Sequence, residues 1–225
     1  MLNITSVVLV PSSGGRTMAR VAGRMITREE VAEAAWRVIL RDGLHKASMR
    51  AIATELGATT GVVTYHFHDK AELLLFALDR LGTAIVRDMD AALAGVTGIE
   101  RVRRILRTTL PLGPRQVAGW KLWVSFVGLA MSDTKLRDEH QRRLAILNGR
   151  LEFEIRALQA RGDLSVEIDA RHEADALVAL SDGIGLGYTL RPKAYPPDKQ
   201  WAIVDGYMTN RFELPRPRRP RVARR

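Results

Sequence analysis

The chain has 225 residues, of which 46% are hydrophobic, and this suits one large globular domain or two small ones. It contains no cysteine, which excludes disulfides, thiolate nucleophiles and cysteine-ligated zinc, and which suits a reducing cytoplasm. The formal net charge of +10 lies mostly at the two ends, because residues 1–70 carry +3, residues 215–225 carry +6 and the stretch between them carries +1. This distribution favours a polyanion as the partner of the ends, most often nucleic acid and next an anionic membrane surface.

The two ends lack the pattern of folded elements. Residues 1–24 mix Ser, Gly and Arg without periodicity, so we expect a disordered basic arm, with Met18 or Met25 as an alternative start. Residues 214–225 predict a disordered Arg/Pro tail. The N-terminus has no basic segment before its short apolar run, and the apolar run at 120–131 is too short for a membrane span. We therefore expect neither a signal peptide nor a membrane helix.

Helical order begins at residue 27. Thr27 and Glu30 have the spacing of a capping box, and the apolar residues that follow repeat at helical spacing until Gly43, which suits a left-handed C-terminal cap. A second, short helix is predicted at 48–56 with Ser48 as its N-cap.

The predicted helices continue to the C-terminal tail. Gly57 ends the second helix, a third of roughly two turns begins at Thr59 or Thr60, and a fourth opens at Asp69 and runs towards Ala94. No run of alternating polar and apolar residues is found, so we predict no strand. The remaining helices are predicted at 99–110, 114–131, 134–161, 169–190 and 197–213. The predicted class is all-α with about nine helices, a compact three-helix unit at 25–72 and a helical body at 73–213.

The second and third helices and the Gly57 turn form a helix-turn-helix pattern. The later helix of such a unit, here the third predicted helix, enters a DNA major groove about 12 Å wide, so its outer face needs small and polar groups. Val62 or Val63 can anchor its inner face. The outer groups here are Thr59, Thr60, Gly61 and Thr64.

The stretch 48-SMRAIATELGATTGVVTYHFHDKAELL-74 resembles the DNA-binding unit of TetR-type transcriptional repressors. The shared pattern is a hydroxyl cap, Ile-Ala, a Gly turn, a small and polar recognition helix, an aromatic run ending in Phe, then Lys and a Leu pair. Thr64 departs from the Tyr of most members, but VVTYHF fits the subgroup that resembles the betaine-pathway repressor. WVSFVGLAMSDTKLRDEH and ALSDGIGLGYTL resemble helices of the same subgroup, the second its dimer-forming helix.

This resemblance implies a set of DNA contacts and a core position for Phe67. Arg16, Arg20 and Arg24 would form a flexible arm that reaches an adjacent minor groove, or else belong to an inert leader. The implied DNA contacts are Ser48 and Arg50 from the second helix, Thr59, Thr60, Gly61, Thr64, Tyr65 and His66 from the third, and Lys70 from the fourth.

Two features of the body are candidate sites for a ligand and for a partner subunit. Trp120, Trp123, Phe126, Val127 and Met131 form an apolar stripe that is either core or the wall of a ligand cavity, and aromatic walls suit apolar ligands or quaternary ammonium cations. Small residues four apart in the helix at 169–190 allow close helix packing, either between two subunits or within one. The candidate dimer residues are Leu177, Leu180, Gly183, Ile184 and Gly187.

Metal and phosphate sites find no support. His66 and His68 point about 200° apart on a helix, so they and Asp69 do not converge on one metal ion. The glycine-rich stretch 182–188 lies inside a helical pattern, where a phosphate loop does not occur. We predict no catalytic residue, no metal and no cofactor.

We therefore expect a cytoplasmic, non-enzymatic, homodimeric repressor of TetR type. Its partners would be a near-palindromic double-stranded DNA operator, a second copy of itself and an unknown small-molecule effector that releases the DNA, with no membrane partner. The alternative is a helical ligand-binding or scaffold protein whose basic tail binds RNA or membrane.

Overall fold

A computed structural model describes residues 19–21 and 24–212, and within them it shows nine α-helices and one pair of short strands. The predicted all-α class is confirmed. The other residues, which include most of the predicted arm and the predicted tail, lie outside the described part. The helices are α1 (Arg28–Asp42), α2 (Met49–Leu56), α3 (Thr60–His66), α4 (Lys70–Leu93), α5 (Ile99–Thr109), α6 (Pro114–Ala130), α7 (Thr134–Ala160), α8 (Ala170–Leu190) and α9 (Pro197–Arg211).

The helices begin and end close to where local sequence signals predict, although Gly43 ends α1 with φ of 84° and ψ of 159° and not in the expected left-handed helical conformation. Thr27 and Glu30 form the predicted capping box, in which Glu30 N donates to Thr27 Oγ1 at 3.2 Å and Thr27 N donates to Glu30 Oε2 at 2.8 Å. Ser48 Oγ accepts a hydrogen bond from Ala51 N at 3.1 Å and so caps α2. Gly57 ends α2 with φ of 64°, a left-handed conformation that glycine adopts without strain.

The prediction of no strand is wrong near the N-terminus. Strands β1 (Ala19–Val21) and β2 (Arg24–Ile26) pair in antiparallel fashion, with Ala19 opposite Ile26. Strands of three residues are too short to show an alternating pattern in the sequence. Tertiary contacts accompany them instead, because β1 lies against α3 and the Ile26 side chain is buried in the neighbouring core.

The chain divides into two compact units, each with its own core. The first contains the described residues up to Asp90 together with 118–143, and the second contains 91–117 and 144–212. Helices α4, α6 and α7 contribute residues to both.

The core of the first unit holds the three short N-terminal helices in place. Its largest fully buried side chains come from the α2–α3 region and from the first turn of α4, and Leu122 and Phe126 of α6 join the same cluster. The members from the N-terminal helices and the start of α4 include Val31, Val38, Ile52, Val63, Phe67, Leu73 and Leu74.

A buried ion pair joins α5 to α7 in the second unit. Arg101 Nε and Nη2 donate to the Glu154 carboxylate at 2.6 and 2.7 Å, and Arg101 Nη1 donates to the carbonyl oxygens of Leu93 and Val96 at 3.2 and 3.1 Å. The Glu154 side chain is only 3% exposed. Such a carboxylate is tolerated because most of its lost hydration is replaced by charged donors.

A second buried carboxylate joins α8 to α9. Glu173 is fully buried, and it accepts hydrogen bonds from the Tyr207 hydroxyl at 2.9 Å and from Arg211 Nε at 2.5 Å. This arrangement fixes the rotation of α8 against α9, and so decides which face of α8 turns outward.

Replacing Arg101 with Met keeps an unbranched apolar stem but leaves Glu154 buried without its main partner. We expect the free energy of unfolding, measured by urea denaturation, to fall by about 3 kcal/mol. Arg104→Met is the matched control, since Arg104 and Glu100 form an exposed pair on the same helix, and it should cost less than about 0.5 kcal/mol. Equal losses in the two variants would contradict the assigned role of Arg101.

Candidate nucleic-acid interface and effector site

The helix α3 buries one face and exposes the other. Val62 and Val63 are buried in the first unit, as predicted for the inner face. The outer face carries Thr60, Gly61 and Thr64, all exposed. Thr59, the residue before the helix, is also exposed, and its hydroxyl makes no capping bond. The four small polar positions therefore form one accessible edge at the start of α3.

The last turn of α3 carries two aromatic side chains in different settings. Tyr65 is 46% exposed, and its ring meets the His66 ring edge-on with centroids 5.2 Å apart. His66 is partly buried, and its Nε2 lies 2.9 Å from the carbonyl oxygen of Ile26. This hydrogen bond ties the end of α3 to β2. Tyr65 thus extends the accessible edge, whereas His66 holds the edge in place against the hairpin.

The predicted DNA contacts outside α3 differ in whether their polar groups already have a hydrogen-bond partner within the protein. The Arg50 side chain is exposed on α2, while the Ser48 hydroxyl is occupied by the cap of that helix. Lys70 Nζ donates to the carbonyl oxygen of Leu44 at 2.6 Å, and burial lowers the pKa of this ammonium. Lys70 therefore ties the start of α4 to the segment after α1.

The turn between α3 and α4 is held by an arginine that the sequence analysis did not single out. Phe67 is fully buried there, as predicted. The Arg28 guanidinium lies 4.5 Å from the centre of the Phe67 ring and 4.9 Å from that of Phe76, and it pairs with Glu72. Nothing in the spacing of these residues signals the contact, because Arg28 and Glu72 are 44 positions apart.

Three of the five predicted ligand-site residues come together with a histidine. The Trp120 and Trp123 rings are 4.9 Å apart, and the His140 ring lies 5.6 Å from Trp123 and 6.4 Å from Phe126. His140 Nδ1 is buried without a hydrogen-bond partner, and burial lowers the pKa of this side chain. This aromatic cluster (Trp120, Trp123, Phe126 and His140) therefore contains a neutral polar group with an unused hydrogen-bonding position.

The other two predicted ligand-site residues are placed differently. Val127 is half-buried and packs against the core of the first unit. Met131 follows the last residue of α6 and is 76% exposed. His140 was missed because it lies on another helix and showed no ligand spacing in the sequence.

The five predicted dimer residues of α8 divide between its two faces. Leu177, Ile184 and Gly187 are buried within the second unit, and a Cβ on Gly187 would lie 2.7 Å from the Tyr195 ring. Leu180 is half-buried and Gly183 is exposed. The outward face also contains residues that the sequence analysis did not name. These are Ala179, Leu186 and Leu190, and we call them, with Gly183, the outer α8 stripe.

Asp182 lies beside this stripe and is half-buried. Burial raises the pKa of its carboxyl to about 6. The group is therefore partly protonated near neutral pH, unlike an aspartate in water.

The described residues hold no group of three His, Cys, Asp or Glu side chains that could bind a metal ion. Within the same part of the chain, no helix combines the length and the hydropathy needed to cross a membrane.

Two family models match the sequence. Residues 31–76 match "Bacterial regulatory proteins, tetR family", and residues 98–212, just over half of the chain, match "BetI-type transcriptional repressor, C-terminal". The chain belongs to the TetR family of transcriptional regulators.

Relatives of this TetR-family regulator are also transcriptional regulators. It is 31% identical over 178 residues to the HTH-type transcriptional regulator PksA of Bacillus subtilis, and the match covers 79% of this chain and 85% of PksA. It is 27% identical over 198 residues to the HTH-type transcriptional regulator BetI of Vibrio parahaemolyticus, covering 85% and 94%. The predicted family and the prediction of a non-enzymatic protein are confirmed, because the family and these relatives are transcriptional regulators.

Solved structures agree with the fold of this TetR-family regulator. A putative transcriptional regulator from Saccharomonospora viridis in complex with choline superposes with a TM-score of 0.75 at 27% identity, over 80% of this chain and 94% of that one. A transcriptional regulator from Rhodococcus sp. Rha1 gives a TM-score of 0.73 at 23% identity, over 82% and 97%, which supports the fold alone.

The buried carboxyl of Asp182 predicts a pH-dependent stability for this TetR-family regulator. Because the pKa of Asp182 is higher in the folded than in the unfolded state, the folded state holds this proton more tightly, and the contribution of Asp182 to stability decreases as the pH rises from about 4 to about 6. Asp182→Asn should remove this decrease, which amounts to about 3 kcal/mol in the free energy of unfolding, measured by urea titration at fixed protein concentration.

Asp138→Asn, which changes an exposed carboxyl on α7, is the control and should leave the profile as in the wild type. If Asp182→Asn and wild type follow parallel curves, the burial of Asp182 does not shift its titration.

Proposed function

We propose that this TetR-family regulator is a repressor that binds a near-palindromic DNA operator through the outer face of α3. The observation that carries the proposal is the division of this helix, with two valines buried and a continuous edge of small polar side chains exposed. Such an edge lets a helix approach base edges closely, and the Thr59 and Thr60 hydroxyls can donate to bases or to phosphates. The Thr64 hydroxyl donates to the carbonyl oxygen of Thr60 at 3.2 Å and can still accept a hydrogen bond. The proposed reading head is residues 25–72, and the proposed regulatory body is residues 73–213.

The predicted DNA contacts divide by role in this proposal. Thr60, Gly61, Thr64 and Tyr65 lie on the exposed face and are the proposed base-reading residues, with Thr59 at the edge. Arg50 is the flanking side chain most free to reach a phosphate. Ser48, His66 and Lys70 are proposed to contact the DNA backbone while they hold α2, α3 and α4 in position.

We propose a homodimer formed through the outer α8 stripe. Gly183 and Ala179 are small enough to let a partner helix approach, and Leu186 and Leu190 are 44% and 69% exposed, an unusual setting for leucine. A two-fold dimer places two copies of α3 against half-sites about one helical turn apart, which accounts for a near-palindromic operator.

We propose that the effector binds at the aromatic cluster and favours a conformation in which the two reading heads no longer match the operator spacing. Such an effect requires that the effector bind the two conformations with different affinity. Choline is the compound to test first, because the similar regulator from Saccharomonospora viridis was solved with choline. Tryptophan faces attract quaternary ammonium groups, and His140 Nδ1 offers a hydrogen-bond partner for a hydroxyl.

Thr60→Ala and Tyr65→Ala test the reading face. Each should weaken binding to the DNA upstream of the protein's own gene about tenfold, because each removes one groove contact, while binding to random DNA stays as in the wild type. Fluorescence anisotropy at fixed salt measures both affinities. Thr108→Ala on α5 is the control. Wild-type affinity of the two α3 variants for both DNAs would contradict the proposed reading face.

Trp123→Leu tests the effector site. Calorimetric titration with choline should show saturable binding to the wild type, and the variant should bind at least about tenfold more weakly because a cation–π contact is lost. Trp201→Leu is the matched control, since that ring packs on Arg107 in the second unit, 3.8 Å from its guanidinium. An equal effect of both substitutions, or no binding of choline to the wild type, would reject a choline site at this cluster.

A further inference from the structure

A cleft lies on the other side of α6 from Trp123 and Phe126. It is an open depression with a volume of about 490 Å³, and it belongs wholly to the first unit. The segment after α1, the first residue of α4 and the middle of α6 surround it. The lining residues that matter for its chemistry are Leu44, His45, Lys70, Val124, Gly128 and Leu129.

The walls of this cleft, which we call the Lys70 cleft, combine three apolar side chains with Lys70, His45 and Ser125, and the Ser125 hydroxyl donates to the carbonyl oxygen of Lys121 at 2.8 Å. Leu44, Val124 and Leu129 are half-buried and present hydrocarbon to it. The volume falls in the range of small-molecule sites, which are mostly apolar and contain a few polar groups that orient the ligand. Gly128 is exposed, so the cleft opens to solvent beside it.

The cleft contains one lysine. Lys70 Nζ and its acceptor, the carbonyl oxygen of Leu44, belong to residues that both line the cleft. An ammonium group has three N–H donors, and this hydrogen bond uses one of them. None of the residues that line the cleft is acidic. Burial lowers the pKa of Lys70, which means that water and the surrounding protein compensate its charge incompletely.

We propose that the Lys70 cleft binds a small monocarboxylate with an apolar body, whose carboxylate pairs with the Lys70 ammonium. An anion supplies the missing compensation for that charge, and the hydrocarbon part covers the apolar walls. This site is separate from the aromatic cluster, because Val124 and Gly128 face away from Trp123 and Phe126 on α6.

Occupation of the cleft has a consequence for DNA that rests on the proposed function. Lys70 is one of the proposed phosphate contacts, and one ammonium cannot pair fully with a bound carboxylate and with a phosphate at once. The bound carboxylate therefore weakens operator binding. It also holds the start of α4 against α6, both of which line the cleft.

The first experiment measures binding without DNA. Octanoate is the probe and octanol is its uncharged counterpart, both titrated calorimetrically into the full-length protein. Octanoate should bind the wild type saturably and at least about tenfold more tightly than octanol. Lys70→Gln should remove that preference.

A second pair of variants leaves Lys70 unchanged. A Cβ on Gly128 or on Gly149 would meet no atom within 4 Å, and both glycines are exposed on helices. Leucine is a better helix former than glycine, so both Gly128→Leu and Gly149→Leu should fold. Gly128→Leu places a side chain in the cleft and should weaken octanoate binding at least about tenfold, whereas Gly149→Leu should bind as the wild type does.

The outcomes separate the site from the proposed function. Absence of octanoate binding, or equal binding by wild type, Lys70→Gln and Gly128→Leu, would overturn the cleft proposal whatever the protein does with DNA. In the presence of operator DNA, octanoate should raise the Kd for DNA of the wild type and of Gly149→Leu about tenfold but not that of Gly128→Leu. An equal response of all three would overturn the link to DNA binding.

Discussion

An isolated helix of seven residues is not stable in water, so α3 depends on the apolar side chains that its inner face buries. Val62, Val63 and Phe67 supply that burial. Arg28 then closes the turn after the helix, because its guanidinium lies over the Phe67 ring and pairs with Glu72 at the start of α4. The residues on the outer face contribute little to this packing, so the position of α3 does not require large side chains there.

Hydrogen bonds from buried or half-buried polar side chains, which we call polar ties, set the orientation of several elements. His66 joins α3 to β2, Lys70 joins α4 to the segment after α1, and Glu173 joins α8 to α9. Each tie uses a buried or half-buried polar group, so a shifted arrangement would leave that group without a partner. Such constraints select one arrangement among several that would bury similar apolar area. The outer α8 stripe is exposed because Glu173 turns the opposite face inward.

The helix α6 is the element through which small molecules are proposed to act on this regulator. On one side it carries the aromatic cluster with the unpartnered His140 Nδ1, and on another side it lines the Lys70 cleft. The two sites differ in chemistry, since one offers ring faces and a neutral imidazole while the other offers an ammonium beside hydrocarbon. A cationic and an anionic ligand could therefore bind the same unit without competing for the same contacts.

The sequence alone was sufficient to predict the helical class, the helix boundaries to within one or two residues and the family. Those features depend on signals that lie close together in the chain, such as the capping box of Thr27 and Glu30, the glycine turn at Gly57 and the buried Val62 and Val63. Local hydrogen bonds and periodic burial leave a pattern that can be recognised without coordinates.

Only the tertiary structure decided which polar groups meet. Arg28 and Glu72, His66 and Ile26, and Lys70 and Leu44 are separated by 44, 40 and 26 positions, and no spacing rule connects them. The same applies to the hairpin, to the meeting of His140 with Trp123, and to the burial of Leu177 and Gly187 on the inward face of α8. The physical reason is that these contacts arise from the packing of whole helices, which determines the neighbours of a side chain and is not encoded by the residues next to it.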